Sequence, residues 1–471
     1  MRFVITDEAA GAQGNLSAGL SLERALVIVV LSLLIWLPLP LASHREWSSA
    51  LFVFIVALAS AIWSIRLLRS RAACRISTLR AALPLFALLV AAQAWVAAQW
   101  LAGISVDTGA TCRDLILGCG YTLLFLLITG LFYTRRRVTL LLAVLTISGL
   151  LQAFYGSLMT LSHIDWLAFG PKETGQGDVT GTFVNRNHLA GYLEMTLACG
   201  LGLLMALRDG RPFSWLALPD LLIGPKMRIR LALAIMVIAL VMSHSRMGNS
   251  AFFTGLILLG GLFTLVHRQH RLRNGLILVS LLLIDLLIIS QFFGLDKLED
   301  RLLETQFEDQ VVNGQVVRHE NVDRDDIVRY ALPQLRERPF IGFGAGAFET
   351  SFPRFPGPDI RSHFDHAHND VLEFAIEFGL IGLTPLALFV LWSFAMALKA
   401  LWRRDSLYRS GVGLGAGIGI LAIGIHSLSD FNLQIPANAA TFVTLCAIAV
   451  LANHHHARIA RVGERDPDSE A

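Results

Sequence analysis

The sequence predicts an all-α polytopic membrane protein with about 12 transmembrane helices. Three observations predict it. Only 16% of the 471 residues are charged and 54% are hydrophobic, whereas soluble globular proteins carry about 25% charge. Apolar runs of about 20 residues, enough to cross a bilayer, recur along the chain. Lys and Arg gather in every second connection between those runs.

The runs lie near 22–42, 47–67, 81–101, 115–134, 138–161, 187–207, 229–245, 248–266, 275–293, 371–398, 411–428 and 438–453. The seventh and twelfth are short. Residues 1–21 include Asp7 and Glu8 and lack a basic region followed by a short apolar core, so they read as a tail before an uncleaved first span. Cys74, Cys112, Cys119, Cys199 and Cys446 are scattered, with neither metal-ligand spacing nor a disulfide framework.

The connections 64–80, 135–137, 208–230, 268–273 and 399–409 hold twenty Lys and Arg. The alternate short connections hold four: Arg45, Arg113, Lys172 and Arg246. By the positive-inside rule both termini are then cytoplasmic, and residues 294–370 form one long loop on the outer side. In a bacterial inner membrane that side is the periplasm. The expected organisation is a tail 1–21, spans one to nine in 22–293, a periplasmic loop domain 294–370, spans ten to twelve in 371–453, and a cytoplasmic tail 454–471. The tail begins with His454-His455-His456 and reads as a solvated end. The basic clusters are topology anchors, and no nucleic-acid site is implied.

The outer loop has structure of its own. Asn313-Gly314 between Val311-Val312 and Val316-Val317 signals a hairpin. Asp323, Asp325 and Asp326 precede Ile327, Tyr330, Ala331, Gln334 and Leu335 at helical spacing, with Pro339 beyond, which predicts an amphipathic surface helix at 323–337. The run Phe340–Phe348 has alternate glycines without a nucleotide-binding pattern, and reads as a tight turn over packed apolar side chains.

Polar residues near spans need a reason, because a charge at the bilayer centre costs at least ~2.5 kcal/mol. Asn185 is a suitable N-cap for the sixth span, and the helix start beside Arg186, with His188 close by, makes an anion site. The bland alternative is Arg186 snorkelling to lipid phosphates. Ser243–Ser250 is so short a connection that Arg246 must sit at the outer interface, where an Arg binds phosphate bidentately. Asp285 and Glu194 lie within spans, as proton relays or as partners of a neighbouring helix.

The eight residues His363–Asp370 close the outer loop at the lip of the tenth span. His363, Asp365, His366, His368 and Asp370 are ligand types for zinc or manganese, but they meet no zinc-enzyme spacing, and no metal is assigned. A histidine general base suits the run better, with Asp365 or Asp370 orienting the ring.

His368-Asn369, nine residues, Gly379, two residues and Gly382 resemble the signature of the bacterial O-antigen ligases and related O-antigen polymerases. Gly181–His188, Ser245-Arg246 and Arg338–Gly344 resemble the same superfamily, so the likeness spans about residues 180–440. It implies transfer of a glycan from an undecaprenyl-pyrophosphate donor to a hydroxyl of lipid A-core, growing polysaccharide or protein, at the periplasmic face of the inner membrane. It further implies His368 as the catalytic base and Arg186 and Arg246 on the donor pyrophosphate, with no cofactor. Asn185, His188, His366, Asn369 and Asp370 are expected to support the site, and Arg329 and Tyr330 to line the acceptor path. Ligase, polymerase and protein O-glycosylating activities share these motifs. The alternative from another class is a membrane carrier or flippase for a lipid-linked or anionic substrate; a third is a receptor or scaffold using 294–370.

Overall fold

The computed structural model describes residues 7–164, 166–167, 170–172, 175–207, 226–293, 310–312, 315–317, 320–355 and 363–456 apart from 71–76, with side chains excepted at 7–20, 70, 226, 270, 285–293 and 310–326. The chain is all-α in its architecture. Its helices are α1 Asp7–Trp36, α2 Glu46–Ser70, α3 Ser77–Leu101, α4 Thr108–Leu131, α5 Arg135–Leu161, α6 Arg186–Ala206 and α7 Lys226–Met242. After these come α8 Arg246–Val266, α9 Arg271–Phe293, α10 Glu320–Glu337, α11 Asp370–Leu401, α12 Leu407–His426 and α13 Pro436–His454. Among the described residues nine helices, α2 to α6, α8 and α11 to α13, are long and apolar enough to cross a membrane. The other three expected spans fall on α1, α7 and α9, of which α7 has 17 residues. α1 begins at Asp7, inside the segment expected to be a tail.

Small residues let the central helices touch. α12 carries glycine at 411, 413, 415, 417 and 419. A Cβ on Gly202 of α6 would lie 2.8 Å from the Gly415 Cα, and one on Gly413 would meet Ala400 of α11 at 2.7 Å. Without a hydrophobic drive between helices in lipid, such close backbone contact is a main source of association. α6 and α13 are buried along their whole spanning windows and form the centre of the bundle.

One end of the bundle collects the basic connections. Glu23 pairs with Arg66 at 2.8 Å and with Arg137. The Arg135 guanidinium lies 4.3 Å over the Tyr408 ring. Arg409 donates to the carbonyls of Ala452 at 3.1 Å and His455 at 2.7 Å. These carbonyls end α13, where four backbone acceptors lack intrahelical donors. Within the histidine run His455 is buried and His456 exposed, and the His456 amide donates to the Tyr133 carbonyl, so the start of the expected solvated end packs on the bundle. Residues 457–471 lie outside the described residues.

In the long loop, strands β1 Gln310–Val312 and β2 Gln315–Val317 pair antiparallel, Gln310 opposite Val317. The Asn313-Gly314 turn expected between them lies outside the described residues. The amphipathic helix exists as α10, starting three residues before its expected bound at 323. Ile327 and Ala331 are buried in a small apolar cluster with Phe343, Phe348, Leu372 and Ile376, so α10 packs on the start of α11. The glycine-rich run packs there too. α11 breaks at Gly379, whose φ of 61° and ψ of 177° interrupt the helix. Phe343 and Gly344 donate to the freed carbonyls of Ile376 and Glu377, both at 3.0 Å. Leu380 donates to the Pro339 carbonyl at 2.8 Å. The broken helix is thus re-satisfied by a loop, as backbone away from water must be.

Candidate active site

Opposite the basic end, the connections after α1, before α6, before α11 and between α12 and α13 converge. They enclose a cleft of about 430 Å³ lined by His44, Asn185, His188, His363, Asp365, His366, His368 and Phe431, among others. Helices that alternate in direction put every second connection at one end, so the convergence agrees with the charge alternation in the sequence.

His368 occupies the last loop position before Asn369, whose side chain accepts from the Leu372 amide at 3.0 Å and caps α11. Its φ of 50° is left-handed, uncommon for a residue with a side chain. His368 Nδ1 lies 3.7 Å from Asp430 Oδ1, longer than a hydrogen bond, and has no hydrogen-bond partner among the described residues. His188 Nε2 approaches the same oxygen from another side, also at 3.7 Å. Asp430 is buried, which pushes its carboxyl up, but the imidazoles of His188 and His368 outweigh burial and hold it well below the usual range. A fixed negative charge thus faces Nδ1. A proton on Nδ1 leaves Nε2 as the acceptor, the state a general base requires.

Phe431 builds the cleft wall. Its ring stacks on His366 at 4.3 Å and meets His188 at 4.5 Å and His368 at 4.9 Å edge-on. His366 has a different role from His368. Burial pushes its imidazole down, but the Glu373 carboxylate, 2.7 Å from Nδ1, prevails and raises it. Glu373 also accepts from the Ala367 amide at 2.7 Å, which fixes the loop just before His368. Asp370 accepts from the Ser427 hydroxyl at 2.6 Å and the Leu433 amide at 3.0 Å, and Asn369 donates to the Leu428 carbonyl. Both therefore hold the connection that carries Asp430. His363 is exposed and bonds Glu349 at 2.9 Å; with Asp365 these make a group whose ligand atoms lie within 4.8 Å, all exposed.

Arg186 is the first residue of α6, and Asn185 caps that helix as expected, accepting from the Asn187 amide at 2.8 Å. Arg186 Nη1 donates to Asp178 at 2.7 Å. Arg246 is the exposed first residue of α8, capped by Ser245. Neither arginine is among the cleft-lining residues, although Asn185, next to Arg186, is. Glu194 bonds His426 at 2.7 Å deep between α6 and α12, the partner reading of that acid. The side chain of Asp285 lies outside the described residues. Arg329 is exposed on α10, Tyr330 packs at the edge of its apolar cluster, and neither lines the cleft.

His44, Asp178, Glu373, Asp430 and Phe431 were not singled out from the sequence. Asp430 carried a usable signal: it is a lone acid in the short connection between α12 and α13, at the end away from the basic clusters.

Fold and site define a polytopic membrane protein whose histidine-lined cleft opens at the end away from its basic anchors. Residues 231–387 match the family model described as O-antigen ligase, which supports membership of the O-antigen ligase-like superfamily for the region. The match includes Arg246 and His368 and indicates ligase- or polymerase-like function of the glycosyl-transfer class. No curated protein matches the chain.

Proposed function

We propose that this protein transfers a glycan from an undecaprenyl-pyrophosphate donor to an acceptor hydroxyl at the periplasmic face of the inner membrane. The observation that carries the reading is His368, set in the cleft wall with Nδ1 toward the buried Asp430 carboxylate. In this reading neutral His368 takes the proton of the acceptor hydroxyl through Nε2. The hydroxyl oxygen attacks the anomeric carbon, and the bond to the lipid pyrophosphate breaks. Negative charge grows on the leaving oxygen. Arg186 and Arg246, each at a capped helix start, stabilise that charge more in the transition state than in the ground state. The donor linkage supplies the energy, so no nucleotide takes part. The acceptor is a lipid A-core sugar, a growing polysaccharide or a protein side chain.

Reconstitution of the purified protein with lipid-pyrophosphate glycan and each acceptor tests the reading. A new glycosidic product without added nucleotide supports it. Movement of labelled donor across the vesicle, with no new bond, would establish the carrier alternative instead.

A further inference from the structure

We propose that Asp178 is a positioning residue that ties Arg186 and the turn carrying Arg246 into a single anion site, an inference that rests on the donor-binding reading above. Asp178 belongs to the connection between α5 and α6 and is largely buried. One carboxylate oxygen accepts from Arg186 Nη1 at 2.7 Å; the other lies 2.5 Å from His244 Nδ1. His244 has a φ of 55° and stands two residues before Arg246 in the turn between α7 and α8. The same two connections are joined by backbone, because the Val179 amide donates to the Met242 carbonyl at 3.1 Å. The Asp178 carbonyl in turn accepts from Lys172 Nζ at 2.6 Å. Beneath them α8 starts tight on α6: a Cβ on Gly248 would lie 2.7 Å from that of Ala190.

A pyrophosphate has two anionic centres, and two guanidiniums grip it best when their separation is fixed beforehand. Arg186 and Arg246 sit on different helices, each at a start where backbone amides add partial positive charge. Asp178 is the side chain that bonds to one arginine directly and to the other's turn through His244. Its negative charge subtracts from the field at the site. The carboxylate occupies one edge of the Arg186 fork and leaves the remaining guanidinium donors for the ligand. On this geometry the orientation gained outweighs the charge lost.

The test compares wild type, D178N, D178A, H244A and the double variant D178A/H244A in proteoliposomes supplied with undecaprenyl-pyrophosphate-linked glycan. D178A and H244A are each expected to lower donor kcat/KM by roughly 100-fold, the scale of an ångström of misplacement. Acceptor KM and the thermal midpoint should barely move, and the double variant should lose no more than the worse single one. Additive losses, or a loss that follows the amount of folded protein, would overturn the assignment. A parallel arm measures thermal stabilisation by undecaprenyl pyrophosphate itself in wild type and D178N, which keeps the side-chain volume. Weaker stabilisation of D178N supports the proposal even if wild type makes no transfer product, in which case only the transferase reading falls. Equal or stronger stabilisation of D178N would make Asp178 a bystander or a competitor of the ligand, and the proposal would be lost.

Discussion

Glu373, in the first turn of α11, reaches back to the loop before it and holds His366 Nδ1 at 2.7 Å while accepting from the Ala367 amide. The contact places a carboxylate-paired imidazole two positions before the proposed base, and it has a pH signature. His366 is raised above its ordinary value because Glu373 outweighs burial. A raised folded-state value means stability that is complete below the unfolded pKa, about 6.5, and is lost as pH rises through the folded value. Wild type should therefore lose more thermal stability than H366Q between mildly acidic and alkaline pH. Melting curves of both proteins over that range check this, and parallel curves would remove the pair from the account.

Asp430 and His368 should respond unequally to substitution. H368A removes the proposed base and should cost about 100- to 10,000-fold in transfer rate. D430N keeps the shape of the buried side chain behind His368 but loses the charge that favours a proton on Nδ1. It should be impaired, yet retain more activity than H368A, with the donor KM little changed. Initial rates per folded protein decide it; full activity in D430N would detach Asp430 from the base.

What the sequence disclosed and what it withheld divide by the range of the interaction. Helix starts are local events, so Asn185 before Arg186 and Ser245 before Arg246 could be read as caps or turns that point cations outward. Periodicity showed α10 and the charge alternation showed which connections meet. The partners of the functional side chains are non-local. Asp430 reaches His188 and His368 only because α12 and α13 bring their connection across the cleft. Asp178 is one acid in a polar loop until α7 and α8 present His244 to it. The burial of His455 was hidden for the same reason, since polar composition does not reveal that Arg409 bonds its carbonyl or that Tyr133 holds the next amide.

Gly379 shows why the glycine in the His-Asn…Gly…Gly spacing is demanded. Its φ of 61° lies in the left-handed region, and a Cβ there would stand 2.3 Å from the Phe340 carbonyl oxygen. With ψ at 177° this is backbone that glycine alone adopts readily; it costs a residue with a side chain about 1–3 kcal/mol, and the clash with rigid backbone adds to that. G379A should lower the melting temperature and loosen the 339–344 loop, seen as faster amide exchange at Gly344. An unchanged exchange rate would mean that the loop is anchored elsewhere.

Glu194 and His426 form a pair that is almost wholly enclosed, 0% and 1% exposed, and bridge α6 to α12 just inside the cleft end. Desolvating both groups is expensive, and removal of one strands the other, at a cost of about 3–5 kcal/mol in buried pairs. E194L and H426L alone should each destabilise the purified protein severely. The double variant E194L/H426L leaves no stranded polar group and should recover much of the loss, because an apolar replacement of a whole buried pair is often neutral. If the pair serves only packing, transfer activity returns with stability. If activity stays absent in a restored double variant, the pair also sets the electrostatics around Asp430, four residues beyond His426, and rate against pH in that variant should shift from the wild-type profile. Equal stability of the single variants and the wild type would show that neither group is buried as an ion.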